Sequence, residues 1–288
     1  MRPFHIVDVF AERPFSGNQL AVVLDADGLP DDTMQQIAAE TNYSETTFVM
    51  SAPEAGGGFR VRIFTPAREL PFAGHPLLGT AWVIAQRLSS HGRAVQLNIP
   101  AGPIRVEFEG GDIEWFVAPR VGLGRTSTRE AASAALGIAV EDIATIAPVQ
   151  QASAGVSALI VPLRSLDALK RSTLDSAAFA RLAAAGLPPL VYLFCKETRA
   201  AGNDLSARFF FEAHGVREDP ATGNGAAFLG AYLLEHRVFP GGSLSLRIEQ
   251  GHEIRRPSLV LLRARDAGGA CEVRVGGRVI PIVEGKLL

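Results

Sequence analysis

One short segment occurs twice in this chain. Arg68-Glu69-Leu70-Pro71-Phe72-Ala73-Gly74-His75 aligns without a gap with Arg217-Glu218-Asp219-Pro220-Ala221-Thr222-Gly223-Asn224, and Arg, Glu, Pro and Gly coincide. A strand-like alternation precedes each copy and an apolar helical run follows it, so duplication explains the match better than chance. Proline cannot sit inside the preceding strand, glycine permits a tight turn, and the residue after it opens a helix. Each copy therefore builds a helix N-terminus, whose unpaired amides and positive dipole end suit an anion such as a carboxylate. The expected anion contacts are the backbone near Gly74 and His75, and near Gly223, Asn224 and Gly225.

The rest of the chain fits two similar lobes. Strands are expected at His5–Phe10, Leu20–Leu24, Thr46–Met50, Phe59–Phe64, Val95–Ile99, Ile104–Phe108 and Ile113–Val117. A helix starts near Asp31 or Asp32, either of which is placed to cap it, and a second, apolar almost all round, covers His75–Leu88. Gly56-Gly57-Gly58 reads as a flexible loop. The second half opens on Ser127 and Glu130, at capping-box spacing ahead of an alanine-rich helix. Its strands are expected at Ala158–Val161, Leu190–Phe194 and Ala207–Phe211, with helices at Ser176–Ala185 and about Asn224–His236. Many strands with two helices per half, one of them apolar nearly all round, fit an α+β sheet wrapped around a central helix better than an open doubly wound sheet. The lobes are placed at 1–120 and 121–277, and a final strand at about 278–288 is a candidate to complete the first.

Composition narrows the function. Hydrophobic residues make up 47% and charged residues 20% of the 288, as in ordinary folded proteins. A net charge of -2 supplies no basic stripe for a phosphate backbone, so no nucleic-acid partner is expected. No apolar stretch approaches the roughly 20 residues of a membrane helix, and the N-terminus lacks a signal-peptide pattern, so a cytoplasmic protein without a membrane partner is expected. Cys195 and Cys271, far apart in apolar settings, read as buried fillers. His5, His91, His214, His236 and His252 show no metal-ligand spacing, and no phosphate-cradling, dinucleotide-binding or nucleophile-elbow motif occurs. Neither a metal nor a cofactor is expected.

Four side chains are candidates for chemistry. Glu45 lies between a helix end and an apolar strand, where partial burial would raise its pKa toward a range useful for proton transfer; a solvated strand-end acid is the competing reading. His75 could donate a hydrogen bond or carry charge beside an anion. Asp219 and Asn224 could reach a substrate or simply cap the turn and the helix.

The segments Asp8-Val9-Phe10, Pro14-Phe15-Ser16-Gly17-Asn18, Asn42-Tyr43-Ser44-Glu45-Thr46-Thr47-Phe48, Pro71-Phe72-Ala73-Gly74-His75-Pro76, Asp219-Pro220-Ala221-Thr222-Gly223 and Gln250-Gly251 resemble the PhzF-like (phenazine-biosynthesis) family over nearly the whole chain. The resemblance implies a diaminopimelate-epimerase-like fold of two barrel-like lobes with the active site in the cleft between them. It also implies that Glu45 is the acid/base, with His75 and Asp219 beside it. In the phenazine enzyme these residues serve the isomerisation of a dihydro-hydroxyanthranilate. This chain departs from that enzyme at Asn224, where the phenazine enzyme has a serine that helps to hold the substrate. The catalytic cysteines of diaminopimelate epimerase would fall at Ala73 and Thr222, which cannot ionise, so two-thiol racemisation is excluded. The expected partner is a small-molecule carboxylate, and assembly as a homodimer is left open. A binding or regulatory protein that keeps the cleft without turnover, and a scaffold acting through protein contacts, are the readings from other classes.

Overall fold

Alternation along Phe59–Phe64 buries Val61 and Ile63 and leaves Arg60 in water, as a strand with one wet face requires. The computed structural model describes residues 1–88, 92–110, 112–188, 190–210, 218–268 and 271–288. His91, Phe211, His214 and Arg217 of the sequence reading lie outside the described residues. The chain divides into two units, Met1–Val117 with Gly276–Leu288, and Ala118–Val275.

In the first unit, β1 (Arg2–Val9) pairs antiparallel with β2 (Asn18–Val23). A crossover through α1 (Asp31–Thr41) sets β3 (Glu45–Pro53) parallel to β2. β4 (Phe59–Phe64) returns antiparallel to β3 and carries the two-residue strand β5 (Glu69–Leu70). A second crossover, α2 (Gly74–Arg87), sets β6 (Ala94–Ile99) parallel to β4. Antiparallel β7 (Gly102–Glu109) and β8 (Ile113–Val117) follow.

The second unit contains β9 (Gly122–Thr126), α3 (Arg129–Leu136), β10 (Gln150–Ala154), β11 (Val156–Pro162), α4 (Leu166–Arg171), α5 (Ser176–Ala184), β12 (Val191–Cys195), β13 (Leu205–Phe210), β14 (Glu218–Asp219), α6 (Gly223–Glu235), β15 (Ser243–Gln250), β16 (Ser258–Asp266) and β17 (Cys271–Gly277). Its pairings repeat the first unit's order: β10–β11 antiparallel, β11–β12 parallel, β12–β13 and β13–β14 antiparallel, β13–β15 parallel, β15–β16 antiparallel. The last strand, β18 (Val279–Leu287), lies antiparallel on β1 in the first unit, as β9 lies on β10 in the second. This α+β architecture is a duplicated, mostly antiparallel sheet.

A helix sits inside each sheet. α2 touches β1, β2, β3, β6, β7 and β8, and eleven of its fourteen residues are buried. α6 touches β10, β11, β15 and β16, and ten of its thirteen residues are buried. Fully burying a Leu or Ile such as Leu77, Leu78 or Ile84 contributes roughly 1.5–3 kcal/mol each, which makes this contact the main store of stability in its unit. Outside the sheets, α1 covers Val23, Phe48 and Phe64 with Met34 and Ala38. In the second unit Ala132, Leu136, Leu169, Phe179 and Leu182 cover Leu159, Val161, Val191 and Leu193. β11 and β12 are thus buried on both faces, which is why they read as apolar runs without alternation.

Several local expectations need correcting. Among the described residues the second half has one helix that the sequence does not suggest, α4, because Ser165, as its N-cap, starts a short helix that apolar periodicity cannot reveal over so few residues. The cap of α3 is Thr128, whose Oγ1 accepts from Ala131 N, and not Ser127. Neither Asp31 nor Asp32 caps α1, which Pro30 precedes; Asp31 is instead held by Arg62. Gly56-Gly57-Gly58 belongs to the turn that closes β3 on β4, with Glu54 N donating to Gly58 O at 2.8 Å. Cys195 is buried, with its thiol pushed up to about 12 by burial, while Cys271 is only half-buried.

Glu114, on β8, is buried with Oε2 unpartnered among the described residues. Burial pushes its carboxyl up to about 8, Asp112 adds to this, and a hydrogen bond of its own backbone and Arg278 oppose it. Between about pH 4.5 and pH 8 the folded chain therefore keeps a proton that the unfolded chain has released. Its contribution to stability is fully present below the unfolded value and is lost as pH rises through 8. Glu114→Gln should flatten that dependence. Urea melts at pH 5 and pH 9 should show the parent losing roughly 4 kcal/mol more than the variant over this interval.

Candidate active site

In the first unit the site begins with the turn between β1 and β2. Asp8 Oδ2 accepts from Phe15 N at 2.8 Å, and Ser16 Oγ donates to Arg13 O at 2.6 Å. Gly17 has φ +70°, and a Cβ there would stand 2.3 Å from Val9 O, so no other residue fits. This tight turn delivers Asn18 as the first residue of β2. Parallel pairing sets Leu20 beside Glu45 at the start of β3.

α2 supplies the other half of this geometry. Ala73, its N-cap, is extended and offers no capping side chain, and Pro76 in the first turn lacks an N–H. Thr47 Oγ1 lies 2.8 Å from Thr80 Oγ1, which ties β3 to α2 one turn beyond His75. Glu45 and His75 are only 6% and 3% exposed. His75 Nδ1 lies 3.5 Å from Glu45 Oε2 and 3.2 Å from Asn18 Nδ2. Burial pushes the imidazole down to about 3, against an opposing hydrogen bond with the Gln19 backbone, so the ring is neutral and its contact with Glu45 is not an ion pair. Nε2 of His75 is buried without a hydrogen-bond partner among the described residues.

The second unit builds its turn differently. β14 pairs with β13, Phe209 opposite Asp219 and Phe210 opposite Glu218. Buried Arg208 holds Glu218 with two hydrogen bonds of 2.9 and 2.7 Å and donates to Ser172 O and Leu169 O. The first unit has the same clamp, Arg62 on Glu69 at 2.8 and 2.7 Å, and in both units a Phe two residues after the Arg lies under its guanidinium. The repeated Glu is therefore a structural anchor for the turn. The repeat contained that signal, but its arginine partners precede the matching segment.

Asp219 is buried, and its Oδ2 accepts from Thr222 Oγ1 at 2.6 Å. Gln250 Nε2 donates to Asp219 O at 2.9 Å and to Thr222 Oγ1 at 3.0 Å. A Cβ at Gly251, φ +76°, would stand 2.5 Å from Pro220 O, which accounts for the Gln250-Gly251 segment. Thr222 is the N-cap of α6, and Asn224 is the second residue inside the helix, with a buried Oδ1 that has no partner among the described residues. A Cβ at Gly225 would stand 2.7 Å from the Tyr192 ring, so packing alone explains this glycine. The structure thus brings Gly74, His75 and Glu45 together in one unit, and Asp219, Gly223, Asn224 and Gly225 in the other. Sequence reasoning missed the roles of Asn18, Thr222, Gln250 and the two arginines.

A buried carboxyl beside a neutral imidazole can take and return a proton without a redox group. Among the described residues no cluster of three His, Cys, Asp or Glu side chains could hold a metal, and no helix is long and apolar enough to cross a membrane.

The family model described as phenazine biosynthesis-like protein, PhzC-PhzF, matches residues 7–285. The chain is 37% identical over 286 residues to an uncharacterized isomerase of Pasteurella multocida, covering 99% of this chain and 93% of that one. It is 34% identical to trans-2,3-dihydro-3-hydroxyanthranilate isomerase of Pseudomonas aeruginosa, covering 99% of each. Among solved structures, a PhzF-family phenazine biosynthesis protein of Bacillus anthracis superposes with a TM-score of 0.88 at 25% identity, covering 100% of this chain and 99% of that one. With a family match along almost its whole length and relatives that are named isomerases, the chain is an isomerase and belongs to the phenazine biosynthesis-like PhzC-PhzF family.

Proposed function

We propose that the protein moves a proton within a small carboxylate-bearing substrate of the dihydro-hydroxyanthranilate class, without a cofactor, using Glu45 as the single acid/base. The observation that carries this reading is the buried pairing of Glu45 with a neutral His75 whose Nε2 has no partner among the described residues. Both are shielded from water, which favours returning a captured proton to the substrate over losing it to solvent. In this mechanism Glu45 removes a proton from an activated carbon. The C–H electron pair delocalises toward an electron-withdrawing group on the substrate, and protonated Glu45 then delivers the proton to a second carbon of the same skeleton. His75 orients the substrate and stabilises the charge that develops.

The second unit's turn, taken by itself, carries polar groups suited to a small molecule. Asp219 is held by Thr222 and is an acceptor suited to an amine or hydroxyl, while Asn224 offers an amide. Amides at the start of α2, where no side chain caps the helix, would serve carboxylate oxygens.

Glu45→Gln keeps size and hydrogen bonding but cannot take a proton. It should retain fold and ligand binding while slowing incorporation of deuterium from heavy water into the substrate's carbon positions by about 10²–10⁴-fold, followed by NMR. His75→Asn should weaken binding and turnover together. Exchange in Glu45→Gln as fast as in the parent would make Glu45 an ordinary buried acid, and a parent that exchanges no bound ligand would favour a binding protein. Calorimetry should show a carboxylate ligand binding at least about tenfold more tightly than its amide, a difference of about 1.4 kcal/mol. Equal affinity would count against the helix-end contacts.

A further inference from the structure

We infer that Asn18 is a positioning residue that fixes the tautomer of His75: its amide donates to Nδ1, so the ring proton sits on Nε2 and that N–H faces the substrate. This deepens the function proposed above, on which it depends for the identity of the acceptor, but the tautomer is a property of the resting protein.

The argument starts from the donor inventory. An amide nitrogen has hydrogens to give and no lone pair to offer, so an Asn18 Nδ2 lying 3.2 Å from His75 Nδ1 makes Nδ1 the acceptor. A neutral imidazole that accepts at Nδ1 must carry its proton at Nε2. Nε2 is buried and has no hydrogen-bond partner among the described residues, so none of them satisfies the donor created by this tautomer. A buried donor without an acceptor costs free energy in the resting state, and a substrate oxygen would recover it. Because burial pushes the imidazole down to about 3, the ring is neutral and this donor is present throughout the physiological range.

Two neighbours pull the other way. Glu45 Oε2, 3.5 Å from Nδ1, and the backbone of Gln19 both favour a proton on the ring's near side. Neither displaces Asn18 unless the amide turns its oxygen toward the ring, an orientation that only the proton position reveals. The turn before Asn18 holds the amide in place: Gly17 admits no side chain, Ser16 is tied to Arg13 O, and Asp8 holds Phe15 N. An aspartate here would accept where asparagine donates, draw the proton to Nδ1, and set a second carboxylate near Glu45. The arrangement divides the labour: Glu45 handles the carbon proton, while Nε2–H meets the negative charge that appears on a substrate oxygen as that proton leaves.

The test is long-range ¹H–¹⁵N NMR of the uniformly ¹⁵N-labelled, substrate-free protein, with the His75 ring signals assigned by their loss in His75→Asn. The parent should show an unprotonated Nδ1 and a protonated Nε2 from pH 5 to pH 8. Asn18→Asp, which is isosteric, should move the proton to Nδ1 and reduce kcat by at least about tenfold, with a smaller change in KM. If that variant does not fold, Asn18→Ala should raise the Nδ1-protonated share in the same spectrum. A parent ring protonated at Nδ1, or a folded Asn18 variant with an unchanged tautomer, would overturn the proposal while leaving the isomerase reading intact. Failure of the parent to exchange any ligand's proton would instead defeat the proposed Glu45 proton transfer, while the spectrum alone decides the tautomer.

Discussion

A helix that is apolar on almost every side must be covered on almost every side. α2 and α6 meet that demand by lying inside sheets whose strands contact them from several directions. Each long apolar helix then has one chemically useful end, its start, because there the backbone amides lack intrahelical partners and the preceding turn can bring polar side chains to them. A short strand delivers the chain to this point, and a paired Arg and Glu hold that strand in both units. Removing one partner of a buried pair such as Arg208–Glu218 costs about 3–5 kcal/mol, so the clamp positions the turn firmly as well as marking the duplication.

The gross plan was legible in the sequence because the repeat and the two all-round apolar helices are strong signals that need no tertiary information. β11 and β12 were legible as apolar runs, since both faces are buried. What the sequence hid depends on partners distant along the chain. Arg208 looks like an ordinary charge in an apolar strand until Glu218 and the α4 carbonyls are seen around it. The Tyr192 ring against Gly225, which supplies a packing reason for this glycine, could not be foreseen either. The caps shifted by one residue at α3 and vanished at α1, where Asp31 is bound by Arg62.

At the site, the sequence pointed to Glu45 and His75 separately, and the structure sets them 3.5 Å apart. Depth of burial could not be read from the sequence, and it determines the chemistry. A solvated strand-end glutamate would exchange its proton with water at once, whereas one that is 6% exposed has little water to exchange with. A solvated histidine would titrate near neutrality, and this one stays neutral because its surroundings exclude solvent. Asn224, inside the first turn of α6, has a buried amide oxygen without a partner among the described residues, a feature that depends on packing and could not be read from the sequence.

The central claim is that one shielded group carries the proton from one carbon to the other. The most direct test uses a substrate deuterated at the carbon that loses its proton, turned over in ordinary water, with early product analysed by NMR and mass spectrometry. The account predicts that a measurable share of the deuterium reappears at the newly protonated carbon. Product that holds only solvent hydrogen at that carbon from the first turnovers would contradict it.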